Sequence, residues 1–309
     1  MPQSSPGRRL RDAWSAGPIM IPGAFNALTA RIAERLGFRA VYLSGAALSA
    51  GWAGVPDIGL LTATEFAEAA AILSRATSLP VLCDADTGFG EAVNVERTVR
   101  LYEEAGAAGL HLEDQRIPKR CGHLSGKALV DPATMVAKLR AATAARRDPD
   151  FVVVARTDAR SVEGYDAAID RARAYVEAGA DMIFPEALES ADEFADFARA
   201  VEAPLIANMT EFGRGPLLDF SVLAGLGYRA VLYPLTPFRA AMKAAEATLI
   251  SLRDRGTQRG ELGRMQTRAE LYDLLDYDEW EKRDRSYFVV RPESSVEGVL
   301  PPSDDAGSA

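Results

Sequence analysis

Residues 151–159 read FVVVARTDA. An unbroken apolar run, Val152 to Ala155, meets the polar trio Arg156, Thr157 and Asp158 without an intervening turn. A strand with one face in water would alternate apolar and polar residues; a continuous run fits a parallel strand covered on both faces. The pattern recurs, and predicts strands near Pro18–Pro22, Ala40–Ser44, Pro80–Asp84, Gly109–Asp114, Phe151–Thr157, Asp181–Glu186, Pro204–Met209 and Arg229–Tyr233. Between them, residues 26–36, 64–76, 93–105, 132–145, 165–178, 191–200 and 219–226 carry alanine-rich amphipathic spacing. Glycine follows the helical stretches at AGAAG (105–109), AGAD (178–181) and GLGYRA (225–230), where a helix stop is expected.

This regular alternation predicts an α/β fold, a parallel (β/α)8 barrel. An open doubly wound sheet is the competing architecture. However, no G-x-G-x-x-G follows the first strand, and polar residues recur at strand ends along the whole chain, as a barrel with its site at one rim requires. The expected organisation is a flexible N-terminus over 1–12, a single barrel domain over 13–290, and a flexible, breaker-rich tail over 291–309. Helical stretches at 238–255 and 268–275 exceed what a barrel needs and are candidates for subunit contacts.

The 309 residues are 48% hydrophobic and 26% charged, enough for a sizeable core, and the net charge is −9. No basic stripe with interleaved aromatics is present, so nucleic acid is not an expected partner. Cys83 and Cys121 are too few for a disulfide framework, the first residues have no apolar signal core, and no run is long enough to span a bilayer. The cytoplasm is the expected location.

Chemistry concentrates at the strand ends. Asp84 and Asp86 in DADTGFG (84–90) and Glu113 and Asp114 in GLHLEDQ (109–115) bring carboxylates together. Hard oxygen ligands of this kind suit Mg2+, with Mn2+ the alternative; the competing reading is that each aspartate caps a turn or helix. The loop from Ile117 to Lys127 holds Lys119, Arg120, Cys121, Gly122 and His123. Its cations would favour a Cys121 thiolate or let the thiol trade a proton, and its glycines would let it close over a substrate; the competing reading is a free thiol in a basic surface loop. Cys83 and His111 lie among apolar strand residues, which points to core roles. Tyr42, Ser44, Gly45, Arg156, Asp158, Glu186, Asn208 and Thr210 occupy other strand ends and together suggest an anion site.

Lys119-Arg-Cys-Gly-His123, with DADTGFG, GLHLEDQ, VVVARTDA, FPEAL (184–188), NMTEFG (208–213) and MQTRAELYDLLDY (265–277), resembles the isocitrate lyase superfamily, most closely its methylisocitrate lyases, over roughly residues 10–285. The resemblance implies a barrel with a helix exchanged between subunits, a homotetramer built as a dimer of dimers, and Mg2+-assisted cleavage of a tricarboxylate, 2-methylisocitrate, to pyruvate and succinate. It implies that Asp84 and Asp86 serve the metal, with Glu113 in its water shell. Ser44, Gly45 and Ala46 would hold the pyruvyl group, Asp57 would lie close by, and Cys121, Gly122 and His123 would form the catalytic loop. Arg156, Glu186, Asn208, Thr210, Arg239 and Arg268 would line the substrate, and Phe184, Leu232 and Pro234 would leave room for its methyl group. Ala46 stands where many relatives have glycine; a positive φ there would make alanine costly.

In the mechanism expected from these residues, Tyr42 is the candidate base for the substrate hydroxyl, Arg156 and His123 stabilise the developing charge, and Cys121 returns a proton to carbon. Isocitrate, 2,3-dimethylmalate and oxaloacetate are alternative substrates, and a silent dicarboxylate-binding barrel is the alternative from another functional class.

Overall fold

The computed structural model describes residues 4–124 and 126–288; the expected tail at 291–309 lies outside them. The chain divides into two compact units, 1–256 and 257–309, where one domain over 13–290 was expected. The first contains, in order, α1 (Pro6–Ser15), β1 (Ile19–Pro22), α2 (Ala27–Arg35), β2 (Val41–Leu43), α3 (Gly45–Leu48), α4 (Ala63–Ala76), β3 (Val81–Asp84), α5 (Ala92–Glu104), β4 (Gly109–Glu113), α6 (Pro132–Ala145), β5 (Val152–Thr157), α7 (Tyr165–Glu177), β6 (Met182–Pro185), α8 (Ala191–Ala200), β7 (Ile206–Asn208), α9 (Phe220–Gly225), β8 (Ala230–Tyr233) and α10 (Thr236–Arg255). The second contains α11 (Arg268–Leu274) and α12 (Tyr277–Phe288).

Every strand pairing is parallel. β2 to β6 form one run of neighbours and β1, β8 and β7 another. Single parallel bridges, Gly23 with Tyr42 and Ile183 with Leu205, join the runs and close the eight strands into a ring. All eight observed strands fall inside the predicted stretches. The reason is visible in β5, where every residue is buried: its side chains point alternately to the barrel interior and to the helical layer, so both faces must be apolar. Val152 and Val154 pack inward with Leu82, Met182, Phe184 and Ile206, whereas Val153 and Ala155 join the outer core with Tyr102, Met135, Tyr175 and Phe197.

The N-terminal expectation needs correction. Residues 6–12, placed in a flexible segment, belong to α1, whose Leu10 and Trp14 are 1% and 6% exposed and cluster with Ile19 and Val152 at the starts of their strands. Burying such side chains contributes about 1.5–3 kcal/mol each, and the Ser5 side chain caps the helix by accepting from Arg8 N. Gly7 is pressed onto the Asp150 backbone, with no room for a Cβ. Local composition conceals this because the apolar surface that receives α1 exists only once the barrel has formed. With α1 at the N-terminal ends of the strands, the opposite rim is left for chemistry. Among the described residues, no helix is long and apolar enough to cross a membrane.

Candidate active site

Four elements build an acidic wall at the C-terminal rim. Asp84, the last residue of β3, accepts from Gly45 N (3.1 Å) and Tyr42 Oη (3.3 Å) through Oδ2, and from Asp86 N (3.0 Å) through Oδ1. A Cβ on Gly45 would stand 2.7 Å from Asp84 Oδ2, so glycine is what allows α3 to approach this carboxylate. Asp86 adopts φ 45°, a region that non-glycine residues visit rarely, though aspartate tolerates it better than most. Lys119 Nζ lies 2.6 Å from Asp86 Oδ1 and also pairs with Asp57. Glu113 ends β4 fully enclosed; its Oε2 is 3.5 Å from Arg156 Nε, while its Oε1 has no hydrogen-bond partner.

Burial dominates the proton affinities of this wall. It pushes Asp86 up to about 7, reinforced by the neighbouring Asp84 and opposed by Lys119. Burial also drives Glu113 well above the usual carboxylate range, although Arg156 and Lys119 counteract it. Asp84 is held below that range, because His111, Lys119 and the Asp86 N–H outweigh the burial cost. Several enclosed acids, one with an orphaned oxygen, form a set of hard donors short of positive charge. Such a set fits Mg2+ or Mn2+ held partly through water. Among the described residues, no group of three or more His, Cys, Asp or Glu side chains is arranged to grip an ion directly; Lys119 stands among the carboxylates instead.

Next to the wall, within reach of Glu113, sits a second network. The Arg156 guanidinium reaches Asp158 through Nε (3.0 Å) and Nη2 (3.2 Å), and Glu186 through Nη2 (3.2 Å). Desolvation opposes its charge, but Asp158, Glu186 and Glu113 more than compensate and hold it firmly cationic. Glu186 in turn accepts from Asn208 Nδ2 (3.1 Å) and lies 3.0 Å from His123 Nε2. Gly122 presses on this pair so closely that a Cβ would meet Arg156 Nη2 and stand 2.5 Å from Glu186 Cγ. On the other side of the ring, His123 Nδ1 accepts from Arg214 N at 3.1 Å. With Nδ1 accepting, the ring's N–H is at Nε2, on the side of Glu186.

A family model described as phosphoenolpyruvate phosphomutase matches residues 10–253. The chain belongs to the phosphoenolpyruvate phosphomutase family. A curated 2-methylisocitrate lyase of Aeropyrum pernix is 52% identical over 284 residues, covering 92% of this chain and 91% of that protein. Among solved structures, a 2,3-dimethylmalate lyase described as a PEP mutase/isocitrate lyase superfamily member superposes with TM-score 0.87 at 34% identity, covering 93% of this chain and 96% of that one. A phosphonopyruvate hydrolase in complex with oxalate and Mg++ superposes with TM-score 0.83 at 33% identity, covering 92% and 100%.

In this member of the phosphoenolpyruvate phosphomutase family, one cavity gathers most of the residues expected from sequence. Tyr42, Ser44, Ala46, Asp57, Asp84 and Glu113 line it together with Cys121, Gly122, His123, Arg156, Glu186, Asn208 and Thr210. Phe184, Leu232 and Pro234 complete the lining. Gly45 and Asp86 stand behind it, bonded to Asp84. Arg239 is on α10 outside the lining, 3.5 Å from Glu211 and stacked over Phe212. Arg268 belongs to the second unit, where it opens α11 after the Thr267 cap.

Several expectations change on contact with the geometry. Ala46 lies inside the short helix α3 and is absent from the positive-φ residues, so alanine carries no strain there. Cys121 does not sit in a thiolate-stabilising environment: although the residue reaches solvent, desolvation of its side chain pushes the thiol up, outweighing the His123 N–H and the Arg156 charge. Tyr42, the candidate base, holds its proton tightly because it is buried beside Asp84. Cys83 is core, as expected. His111 is fully buried too, yet its Nε2 is 2.8 Å from Tyr42 Oη, and burial pulls it down to about 4. Its alternation with leucines gave no sign of that contact. Lys119 was read only as a cation near the thiol; its pairing with Asp57 joins residues 62 positions apart, which local inspection does not reveal.

Proposed function

We propose that this chain is a lyase that cleaves 2-methylisocitrate to pyruvate and succinate. The observation that carries the reading is a cysteine loop seated on the Arg156–Glu186 pair, with its thiol held protonated, at the rim that carries the acidic wall. A protonated thiol suits a proton donor to carbon. The 52% identity to a curated 2-methylisocitrate lyase over 92% of the chain supports the substrate.

Asp84 and Asp86 would hold the divalent cation and Glu113 its water. When bound, the cation supplies the charge that gathers a carboxylate and acidifies the neighbouring hydroxyl. Ser44, Gly45 and Ala46 then receive the part of the substrate that becomes pyruvate. The hydroxyl proton leaves as the C2–C3 bond breaks. Tyr42 accepts it only if its own proton passes on to His111, the contact 2.8 Å away. The bonding electrons move into the succinyl carboxylate, where Arg156 and the Nε2–H of His123 are placed to meet the added charge. Cys121 Sγ delivers a proton to the carbon, which completes succinate. Asn208 and Thr210 orient the substrate, and Phe184, Leu232 and Pro234 shape the space for its methyl group. Arg239 and Arg268 would add carboxylate contacts.

The same reading carries a homotetramer, a dimer of dimers with exchanged C-terminal helices, in the cytoplasm. Met242, Leu249, Ile250 and Leu252 stay exposed on α10, as a subunit surface requires. The direct experiment offers 2-methylisocitrate, isocitrate, 2,3-dimethylmalate and oxaloacetate side by side with Mg2+, and follows pyruvate from the first and third, glyoxylate from isocitrate and oxalate from oxaloacetate. The methylated tricarboxylate should be consumed with the highest kcat/KM; preference for any other member of the panel overturns the substrate, and silence toward all of them overturns the lyase.

A further inference from the structure

Lys127 closes the loop that begins at Ile117, and its side chain is only 1% exposed. Its Nζ donates to Gly122 O within the loop and stands 2.7 Å from Asp158 Oδ1 beyond β5. Asp158 is wholly enclosed, and it is the same carboxylate that holds Arg156 by two bonds. Its own backbone is fixed from below, because Asp158 N donates to Asp114 Oδ1 at 2.9 Å. Lys127 is not among the residues that line the cavity. An enclosed ammonium is costly unless its donors are matched, and here one partner lies inside the loop and the other beyond β5.

The structure assigns Lys127 a positioning role: its ammonium ties Gly122 to Asp158, so that Cys121 is held at the rim by the carboxylate that also orients Arg156. Opening the loop would separate Nζ from the Asp158 carboxylate or strip the Gly122 carbonyl of its donor. Either event leaves a buried charge or acceptor poorly matched, which biases the loop toward the seated state. The proton donor and the charge-stabilising guanidinium thus share one anchor.

The kinetic part of this inference rests on the lyase reading; its structural part does not. The test compares Lys127→Met, which keeps the length and apolar stem, with Lys127→Gln, which keeps a donor without the charge. Amide hydrogen exchange across residues 117–127 should quicken about tenfold or more in the Met variant, and less in the Gln variant, while exchange in β5 and the melting temperature hold. With 2-methylisocitrate and Mg2+, kcat should fall about tenfold or more while KM changes less than about threefold. Unchanged loop exchange in both variants overturns the proposal whatever the activity. A raised KM with unchanged kcat overturns it as well, since that would make Lys127 a mere neutraliser of Asp158. If the native chain fails to release pyruvate, the lyase reading fails and the exchange result still decides the role of Lys127. Should the Met variant unfold, the Gln variant carries both readouts, and native values in it count against the proposal.

Discussion

Substituting Gly122 with alanine isolates the closed loop from the rest of the molecule. The added Cβ would stand 2.5 Å from Glu186 Cγ and 2.7 Å from Glu186 Cδ, and closer still to Arg156 Nη2. Ordinary contact begins near 3.4 Å and the nearest atom, Arg156 Nη2, would stand at 2.3 Å, so about 1.1 Å of movement is needed. Neither neighbour yields readily: Arg156 is fixed by Asp158 and Glu186, and Glu186 by Asn208. The backbone of Gly122 does not require positive φ, so the penalty is steric rather than conformational. Overpacking of this kind costs about 1–3 kcal/mol, which converts to a loss of about 5- to 150-fold in kcat/KM if the seated loop is the reacting state. Lifting the loop relieves the clash, so the melting temperature should move by less than about 1 °C. Pyruvate release from 2-methylisocitrate, followed in parallel with thermal unfolding, reads both quantities. Native kcat/KM in the variant would show that catalysis does not pass through this loop position.

Cys121→Ser should preserve folding and substrate binding while lowering kcat by about 100- to 10,000-fold, the usual contribution of a positioned acid; a rate within threefold of native would rule out the thiol as donor. The donor must be protonated and its pKa is displaced upward, so native kcat/KM should not decline through neutrality and should lose its acid only above the ordinary thiol value of 9.0. A Cys121-dependent descending limb between pH 6 and 8 would contradict that sign. Beneath the site, Asp114 accepts from Thr157 Oγ1 (2.7 Å), Tyr175 Oη (2.9 Å) and Asp158 N (2.9 Å), so Asp114→Asn should cost about 2–4 kcal/mol in urea unfolding. A loss below about 0.5 kcal/mol would show that the network is not cooperative. Leu232→Phe fills the cavity where the methyl group is expected, and should shift the preference from methylisocitrate toward isocitrate by about 10- to 200-fold; an unaltered ratio would place the methyl group elsewhere.

The barrel was legible because its strands obey a rule that acts residue by residue. β5 shows it best: both faces are covered, so an unbroken apolar run ends abruptly where the rim begins. Most of the cavity lining was legible for the same reason, since a strand end is a place as well as a sequence position. What escaped depends on contacts that exist only after closure. α1 looks like a charged leader until its Leu10 and Trp14 meet the strand starts. The partnership of Lys119 with Asp57 and Asp86, and of Lys127 with Asp158, joins distant segments. Of the two roles the loop's cations suggested for the Cys121 thiol, a thiolate and a proton donor, sequence could not choose; Lys119 turns away to the carboxylates and desolvation favours the protonated thiol.

Divalent charge at Asp84, Asp86 and Glu113 working with the thiol of Cys121 is the central requirement of the proposed cleavage. Its most direct test is pyruvate formation from 2-methylisocitrate by chain stripped with EDTA and then titrated with Mg2+. Turnover should vanish on stripping, return saturably with added Mg2+, and fail to return in Asp84→Asn; full turnover in excess EDTA would contradict the account.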